Sequence, residues 1–133
     1  MKQIFKVFCL LCILFSLTAC QKKTVVLEIK VTYWSDIYPG EVGFPYEEFT
    51  FEVKVGDVIE IPMTSFYDSL TIKITAITNS EIKFETSEAL CIKTEAGTHM
   101  NTVSKKFTFP IQTPFYLATP TMDEGVTFEF IIK

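Results

Sequence analysis

From residue 24 onward, apolar and polar side chains alternate along the chain in short segments. The first segment, residues 24–34, reads TVVLEIKVTYW. Its apolar alternate positions are Val25, Leu27, Ile29, Val31 and Tyr33. Because successive side chains of a strand point to opposite faces of a sheet, this pattern predicts a strand with one buried face.

Similar apolar segments recur along the rest of the chain. They cover residues 49–55, 58–62, 69–78, 81–86, 89–94, 105–111, 114–118 and 125–133. Gly56 and Asp57 separate the first two of these segments, which predicts a hairpin there. Residues 95–104 (EAGTHMNTVS) contain Gly and Asn and are predicted to form a loop.

No segment shows the 3.6-residue period of a helix. Many short strands at roughly ten-residue spacing favour an all-β fold, and more a sandwich than a barrel. We therefore expect a single domain over residues 24–133, an antiparallel two-sheet β-sandwich of about eight strands, immunoglobulin-like in architecture.

The first nineteen residues follow a different pattern. Lys2 and Lys6 make residues 1–6 positively charged, and residues 7–17 (VFCLLCILFSL) are apolar apart from Ser16. This stretch is shorter than the ~20 residues that a membrane-spanning helix needs. The pattern predicts a signal peptide over residues 1–19.

The tetrapeptide Leu17-Thr18-Ala19-Cys20 ends this segment and resembles the lipobox of bacterial lipoproteins. The resemblance implies cleavage before Cys20 and lipidation of its thiol, with the chain held in the cell envelope by the lipid. The membrane is then the outer leaflet of the plasma membrane or, in a cell that has one, the outer membrane. An ordinary secretory signal and a retained membrane helix are the alternatives.

A short tether follows the lipidated residue. Residues 20–23 span at most about 11 Å when fully extended, which places the domain close to the bilayer. Of the four cysteines, Cys9 and Cys12 leave with the signal peptide, and only Cys91 remains in the domain. No internal disulfide is expected, and Cys91 is predicted to be a small buried side chain rather than a reactive thiol.

Charge argues against nucleic acid as a partner. The net charge of the 133 residues is −4, and every basic residue is lysine. Phosphate backbones require a basic surface, and arginine is the preferred side chain for bidentate recognition. The chain is expected to be a monomer that does not bind nucleic acid.

Catalytic and metal-binding motifs are not apparent. His99 is the single histidine and is predicted to lie in a solvated loop, and no Gly-x-Ser-x-Gly motif occurs. The sixteen acidic residues form no EF-hand pattern and single out no catalytic pair. We therefore expect no enzymatic activity, no cofactor and no metal.

The most distinctive segment is residues 35–46 (SDIYPGEVGFPY), a long gap between strongly patterned strands. Loops of this length are usually functional or packed on themselves. Aromatic side chains with polar tips suit contacts with sugars or proteins. The candidate ligand-binding residues are Trp34, Tyr38, Phe44 and Tyr46. The alternatives are a small satellite core under the loop, or a short hidden strand.

These features favour a lipid-anchored, non-catalytic binding domain that engages a protein or a glycan at the cell envelope. The second hypothesis is an inhibitor or immunity-type lipoprotein that blocks an enzyme or toxin at the membrane. The third, a hydrolase, has no supporting motif.

Overall fold

The computed structural model describes residues 23–35, 46–63 and 68–133. These residues form eight strands and no helix. The strands are β1 Val25–Ser35, β2 Tyr46–Val53, β3 Val58–Pro62, β4 Ser69–Ile77, β5 Glu81–Thr94, β6 Gly97–Pro110, β7 Phe115–Ala118 and β8 Glu124–Ile132. The prediction of an all-β fold with about eight antiparallel strands is confirmed.

Hydrogen bonds join all eight strands into one nearly closed, barrel-like sheet. The strand order is β2-β1-β8-β7-β5-β4-β3, and β6 pairs with β5 beside this path. Every pairing is antiparallel. The division into two separate sheets that the sequence suggested is not confirmed, because β5 links both halves.

The long strand β5 changes one neighbour along its length. Its first half pairs with β4 and its second half with β7, while β6 follows it along both. The register between β5 and β6 shifts between Glu85 and Leu90. Such an irregularity bends a strand and increases its twist, and here it lies where the sheet changes neighbours.

Two sequence predictions about connections are wrong. The predicted loop over residues 95–104 is mostly strand β6, and the turn holds only Glu95 and Ala96. Among the described strands, β6 pairs only with β5, and its side chains do not alternate strongly between buried and exposed. Backbone hydrogen bonds to β5 therefore form a strand that the sequence pattern does not reveal.

The predicted hairpin between β2 and β3 is also wrong. The turn at Gly56 instead hydrogen-bonds to β4, with Gly56 N donating to Ile74 O at 2.9 Å and Ile74 N donating to Asp57 O at 2.9 Å. Gly56 has a φ of 95°, which glycine adopts without strain. The chain therefore passes from one half of the sheet to the other at this turn.

The core lies inside the curved sheet. All five apolar positions predicted for β1 are buried. At the centre, the Phe84 ring of β5 packs against the rings of Phe107, Phe109, Phe115 and Phe130 on three other strands. This inward packing leaves the polar alternate positions of β1, β8 and β7 on the outer face.

The start of β1 is fixed at one end of the sheet. Lys23 Nζ donates to Thr78 O at 2.8 Å and to Asn79 Oδ1 at 3.2 Å, in the turn between β4 and β5. Val26 N donates to Lys133 O at 3.0 Å, so the C-terminus of the chain lies at the same end. Within residues 23–35, 46–63 and 68–133, no helix is long and apolar enough to cross a membrane.

Candidate functional site

The opposite end of β1 carries Trp34, which pairs across the sheet with Gly125 of β8. Gly125 is buried, and a Cβ built on it would overlap the hydroxyls of Thr119 and Thr121 and would lie 2.8 Å from Trp34 Cζ2. Real Cβ contacts are not this short, so the two hydroxyls and the edge of the indole fill the space that a side chain here would need. The absence of a side chain at Gly125 therefore lets all three groups pack closely against β8.

The turn before β8 packs beside this contact. The buried side chain of Thr119 accepts a hydrogen bond from Val126 N at 3.0 Å, and its hydroxyl lies 2.9 Å from that of Thr121. Thr119 N also donates to Val126 O at 3.0 Å. The backbone next to the indole is thus held by several hydrogen bonds.

Two open depressions meet at Trp34 on the outer face of the sheet. One is about 410 Å³ and lies over β1, β8, β7 and the end of β5. The other is about 450 Å³ and extends toward Thr98, Met100 and Met122. Both are lined by Trp34 and Lys93. We call the two together the Trp34 groove.

A row of polar side chains crosses the floor of the groove from strand to strand. Lys30 of β1 pairs with Glu129 of β8, Glu129 pairs with Tyr116 of β7, and Tyr116 pairs with Lys93 of β5. Directly paired residues on one face of an antiparallel sheet have Cβ atoms about 5 Å apart. The sheet thereby brings together four residues that are far apart in sequence.

Hydrogen bonds order part of this row. Tyr116 donates its hydroxyl proton to Glu129 Oε1 at 3.1 Å, and this hydrogen bond, with the negative charge of Glu129, raises the pKa of Tyr116. Lys93 Nζ donates to Thr127 Oγ1 at 3.0 Å. Lys30 Nζ lies 4.4 Å from the centre of the Tyr46 ring, a cation–π contact.

Several hydrogen-bond donors in the groove lack an ion pair or an acceptor among the described residues. Neither Lys30 nor Lys93 forms an ion pair with a carboxylate of the described residues. Trp34 Nε1 is buried and finds no hydrogen-bond acceptor among those residues. A buried donor without an acceptor costs free energy.

No family model, curated protein or solved structure matches this chain. The geometry of the groove is therefore the basis for inferring its function.

The structure places two of the four predicted ligand-binding residues at this groove. Trp34 lines it, and Tyr46 stands beside it with 58% of its surface exposed. Tyr46 is the first residue of β2 and pairs with Thr32, so it belongs to a strand rather than to the loop. Tyr38 and Phe44 lie outside the described residues.

Sequence reasoning missed Lys93, Tyr116 and Glu129. Each occupies an outward position of its strand, and an alternating polar position is typical of any solvated sheet face. Only the strand order shows that the three residues are neighbours, and no local signal in the sequence reveals it.

Cys91 is fully buried, which confirms its prediction as a small buried side chain. It packs outside the main core cluster, with Sγ 4.0 Å from the Met100 sulfur. Burial raises the pKa of the Cys91 thiol, so the thiol is a poor nucleophile.

His99 is exposed, but it lies in β6 and not in the predicted loop, with Nε2 2.8 Å from Thr94 Oγ1. In the described part of the chain, no three His, Cys, Asp or Glu side chains are grouped to hold a metal ion. The arrangement of side chains at the Trp34 groove is suited to binding.

Proposed function

We propose that this protein is a lipid-anchored lipoprotein of the bacterial cell envelope with a non-catalytic domain that binds a protein or glycan through the Trp34 groove. The observation that carries the proposal is the groove itself. It combines a positioned indole, the partly exposed ring of Tyr116 and two lysines that form no ion pair among the described residues. Surface patches with these features are typical of ligand recognition.

The direction of β1 supports this function. The tether precedes Val25, and Trp34 lies nine residues further along the same strand. At a rise of ~3.3 Å per residue, the two positions are about 30 Å apart. If Cys20 carries the lipid, the Trp34 end of the groove lies far from the bilayer and is open to molecules of the envelope.

The hydrogen bonds of Lys23 support the same orientation. The extended tether between Cys20 and Lys23 reaches only about 11 Å. Because Lys23 is bound to the turn at Thr78 and Asn79, that end of the sheet stays next to the lipid. The domain then has little freedom to turn the groove toward the membrane.

We also propose that the sheet folds over at β5 into two facing layers, as in a sandwich. One ring contact and one irregularity in strand pairing support this layered arrangement. The Phe84 ring lies 5.4 Å from the ring of Phe130 on β8, a strand that does not pair with β5. The register shift after Glu85 supplies the bend.

In-cell photo-crosslinking tests the binding function. A photo-reactive residue at Tyr116, which is 39% exposed in the groove, is compared with one at Lys73, which is exposed on β4. The proposal predicts a discrete adduct from position 116 and none from position 73. Equal yields from both positions, or no adduct from position 116 in a membrane-located protein, would contradict it. A soluble enzyme as the adduct would favour the inhibitor alternative.

A further inference from the structure

We propose that the edge of β2 that faces away from β1 is a docking surface for an extended, basic segment of a partner protein, which joins the sheet as an added strand. The partner segment carries lysine or arginine on one face and apolar side chains on the other. This surface, called here the β2 edge, is separate from the Trp34 groove. The inference therefore goes beyond the proposed function and does not rest on it.

The backbone of β2 presents a row of hydrogen-bonding groups on this edge. All eight residues of Tyr46–Val53 pair with β1, and β2 is the last strand at one end of the sheet order. In an antiparallel pair, every second residue of a strand directs its N–H and C=O away from the partner strand. Among the described residues, no group hydrogen-bonds to β2 from the far side. The β2 edge thus offers donors and acceptors to an added strand.

The other two edge strands carry features that discourage strand addition, and β2 does not. Such features are short length, lysine, proline and irregular pairing. Strand β3 has five residues and ends at Pro62. Strand β6 contains Lys105, Lys106 and Pro110, and its register with β5 shifts twice. By contrast, β2 pairs with β1 in one unbroken register and contains no lysine, proline or glycine.

The inward side of the β2 edge offers apolar contact. Phe49 and Phe51 pack against the core, and their rings stack with centroids 6.3 Å apart. Both are only half-buried, because no described strand flanks them on the side away from β1. Apolar side chains on the inward face of an added strand would cover the exposed parts of both rings, which favours binding.

The outward side of β2 carries negative charge. Glu48 and Glu52 are exposed, and their even spacing places them on the same face of the strand. Neither forms an ion pair among the described residues. Lys30 pairs with Glu48 across the strands, but its ammonium lies 4.4 Å from the centre of the Tyr46 ring. Because opposite charges across a strand pair stabilise it, lysine or arginine at two positions four residues apart would match this face.

The same charges disfavour a second copy of this chain as the occupant. If two copies of β2 pair antiparallel about Thr50 with their core faces on the same side, Glu48 of each lies opposite Glu52 of the other. Like charges directly opposite each other destabilise a strand pair. The neighbouring register, about Phe49, places the carboxylate of Glu47 against the Phe51 ring. A basic segment of another protein avoids both conflicts.

Amide hydrogen exchange, measured by NMR on the full mature chain purified from membranes, tests whether the β2 edge is open. The inference predicts that every second amide of Tyr46–Val53 exchanges fast, while the amides bonded to β1 exchange slowly. Slow exchange of all eight amides would show that another part of this chain covers the edge. Protection that appears only as the protein concentration rises would show a second copy there. Either result would overturn the inference.

The binding test uses the peptide Thr-Val-Lys-Val-Thr-Val-Lys-Val-Thr, which reads the same in both directions and fits a parallel or an antiparallel strand. One control peptide has glutamate in place of both lysines. A second keeps the lysines but has proline at the three central positions, which removes backbone donors. At up to millimolar concentration, the lysine peptide should slow exchange of the fast β2 amides, and neither control peptide should do so.

Charge variants of the protein test where the peptide binds. In the double variant Glu48→Lys and Glu52→Lys, the glutamate peptide should bind, and the lysine peptide should bind at least tenfold more weakly than it binds the parent. The control, Glu60→Lys with Glu124→Lys, makes the same charge change at exposed positions of β3 and β8. It should leave the binding of the lysine peptide unchanged, as should Trp34→Phe.

No protection of β2 by the lysine peptide would overturn the inference, and so would equal effects of the two double variants. Equal binding of the lysine and glutamate peptides to the parent protein would contradict the basic character of the partner. The proposed function has a separate test, since photo-crosslinking from the Trp34 groove does not depend on the β2 edge.

Discussion

Trp34 and Gly125 pair across β1 and β8, and the indole shares with the hydroxyls of Thr119 and Thr121 the space that a side chain at Gly125 would occupy. The φ angle of Gly125 is not positive, so this glycine is required for space and not for its backbone conformation. The close packing of the proposed binding ring and the two threonines thus requires that Gly125 has no side chain.

Gly125→Ala tests this dependence. The added methyl overlaps the hydroxyls of Thr119 and Thr121 and the indole of Trp34, and overpacking of this kind typically lowers the free energy of unfolding by about 1–3 kcal/mol. We expect this loss in urea unfolding, together with a shift of Trp34 emission in the folded protein.

The control for this prediction is Gly56→Ala. Gly56 has open space around it but a φ of 95°, so the variant is destabilised by about 1–2 kcal/mol through backbone strain alone. Its Trp34 emission should match that of the parent protein. An unchanged emission in Gly125→Ala would show that the glycine does not position the indole.

Cys91 should react slowly with thiol reagents in the folded protein. Burial and the raised pKa keep the thiol covered and protonated at neutral pH. Met100→Ala removes the thioether 4.0 Å from Sγ, and we expect it to raise the labelling rate at least tenfold. Val103→Ala, at an exposed position of the same strand, should leave the rate unchanged.

The same thiol makes stability depend on pH in the alkaline range. Because its folded pKa lies above the ordinary value of 9.0, the unfolded chain releases the proton first as pH rises. The contribution of the Cys91 thiol to the free energy of unfolding is therefore complete below pH 9 and is lost as pH rises above it. Cys91→Ala should show a smaller decrease in the free energy of unfolding between pH 8 and pH 10, by urea titration.

Glu129→Gln should lower the pKa of Tyr116. The carboxylate raises this pKa by accepting the phenol proton in a hydrogen bond and by its charge, and the amide keeps an acceptor but removes the charge. An NMR titration of the tyrosine rings measures the shift. Glu85→Gln, in the half of β5 that does not pair with β7, should leave the pKa of Tyr116 unchanged.

The proposed lipidation of Cys20 can be checked by mass spectrometry. Mature protein from membranes should begin at residue 20 and carry acyl chains on that residue, and Cys20→Ala should prevent the acylation. An unmodified mature N-terminus at residue 20, or a chain that retains residues 1–19, would contradict the lipoprotein proposal.

The sequence predicts the strands well where one face is buried, because alternation is then strong. The five apolar positions of β1 are an example, since each is buried in the structure. It fails for β6, whose first half is mostly exposed or half-buried and therefore carries little periodic signal. It also fails at Gly56, because the tertiary contacts of the turn with β4 decide the pairing.

The groove is only partly predictable for a related reason. Trp34 and Tyr46 stand out as aromatic residues beside a long gap in the pattern. Lys93, Tyr116 and Glu129 come from three different strands and become neighbours only through the order β8-β7-β5. Strand order depends on long-range pairing, which residue patterns within a single strand do not encode.

The most direct measurement compares the chemistry of photo-crosslinks at the two ends of the domain in living cells. Thr113 is exposed next to Gln112, whose N–H donates to Ile132 O at the end of the sheet where β1 begins. Met122 lines the Trp34 groove at the other end of β1 and is 80% exposed. The proposal predicts phospholipid adducts from position 113, and a discrete non-lipid adduct from position 122 that Trp34→Phe weakens. Phospholipid adducts from position 122, or the same adducts from both positions, would contradict an anchored domain that presents its groove away from the membrane.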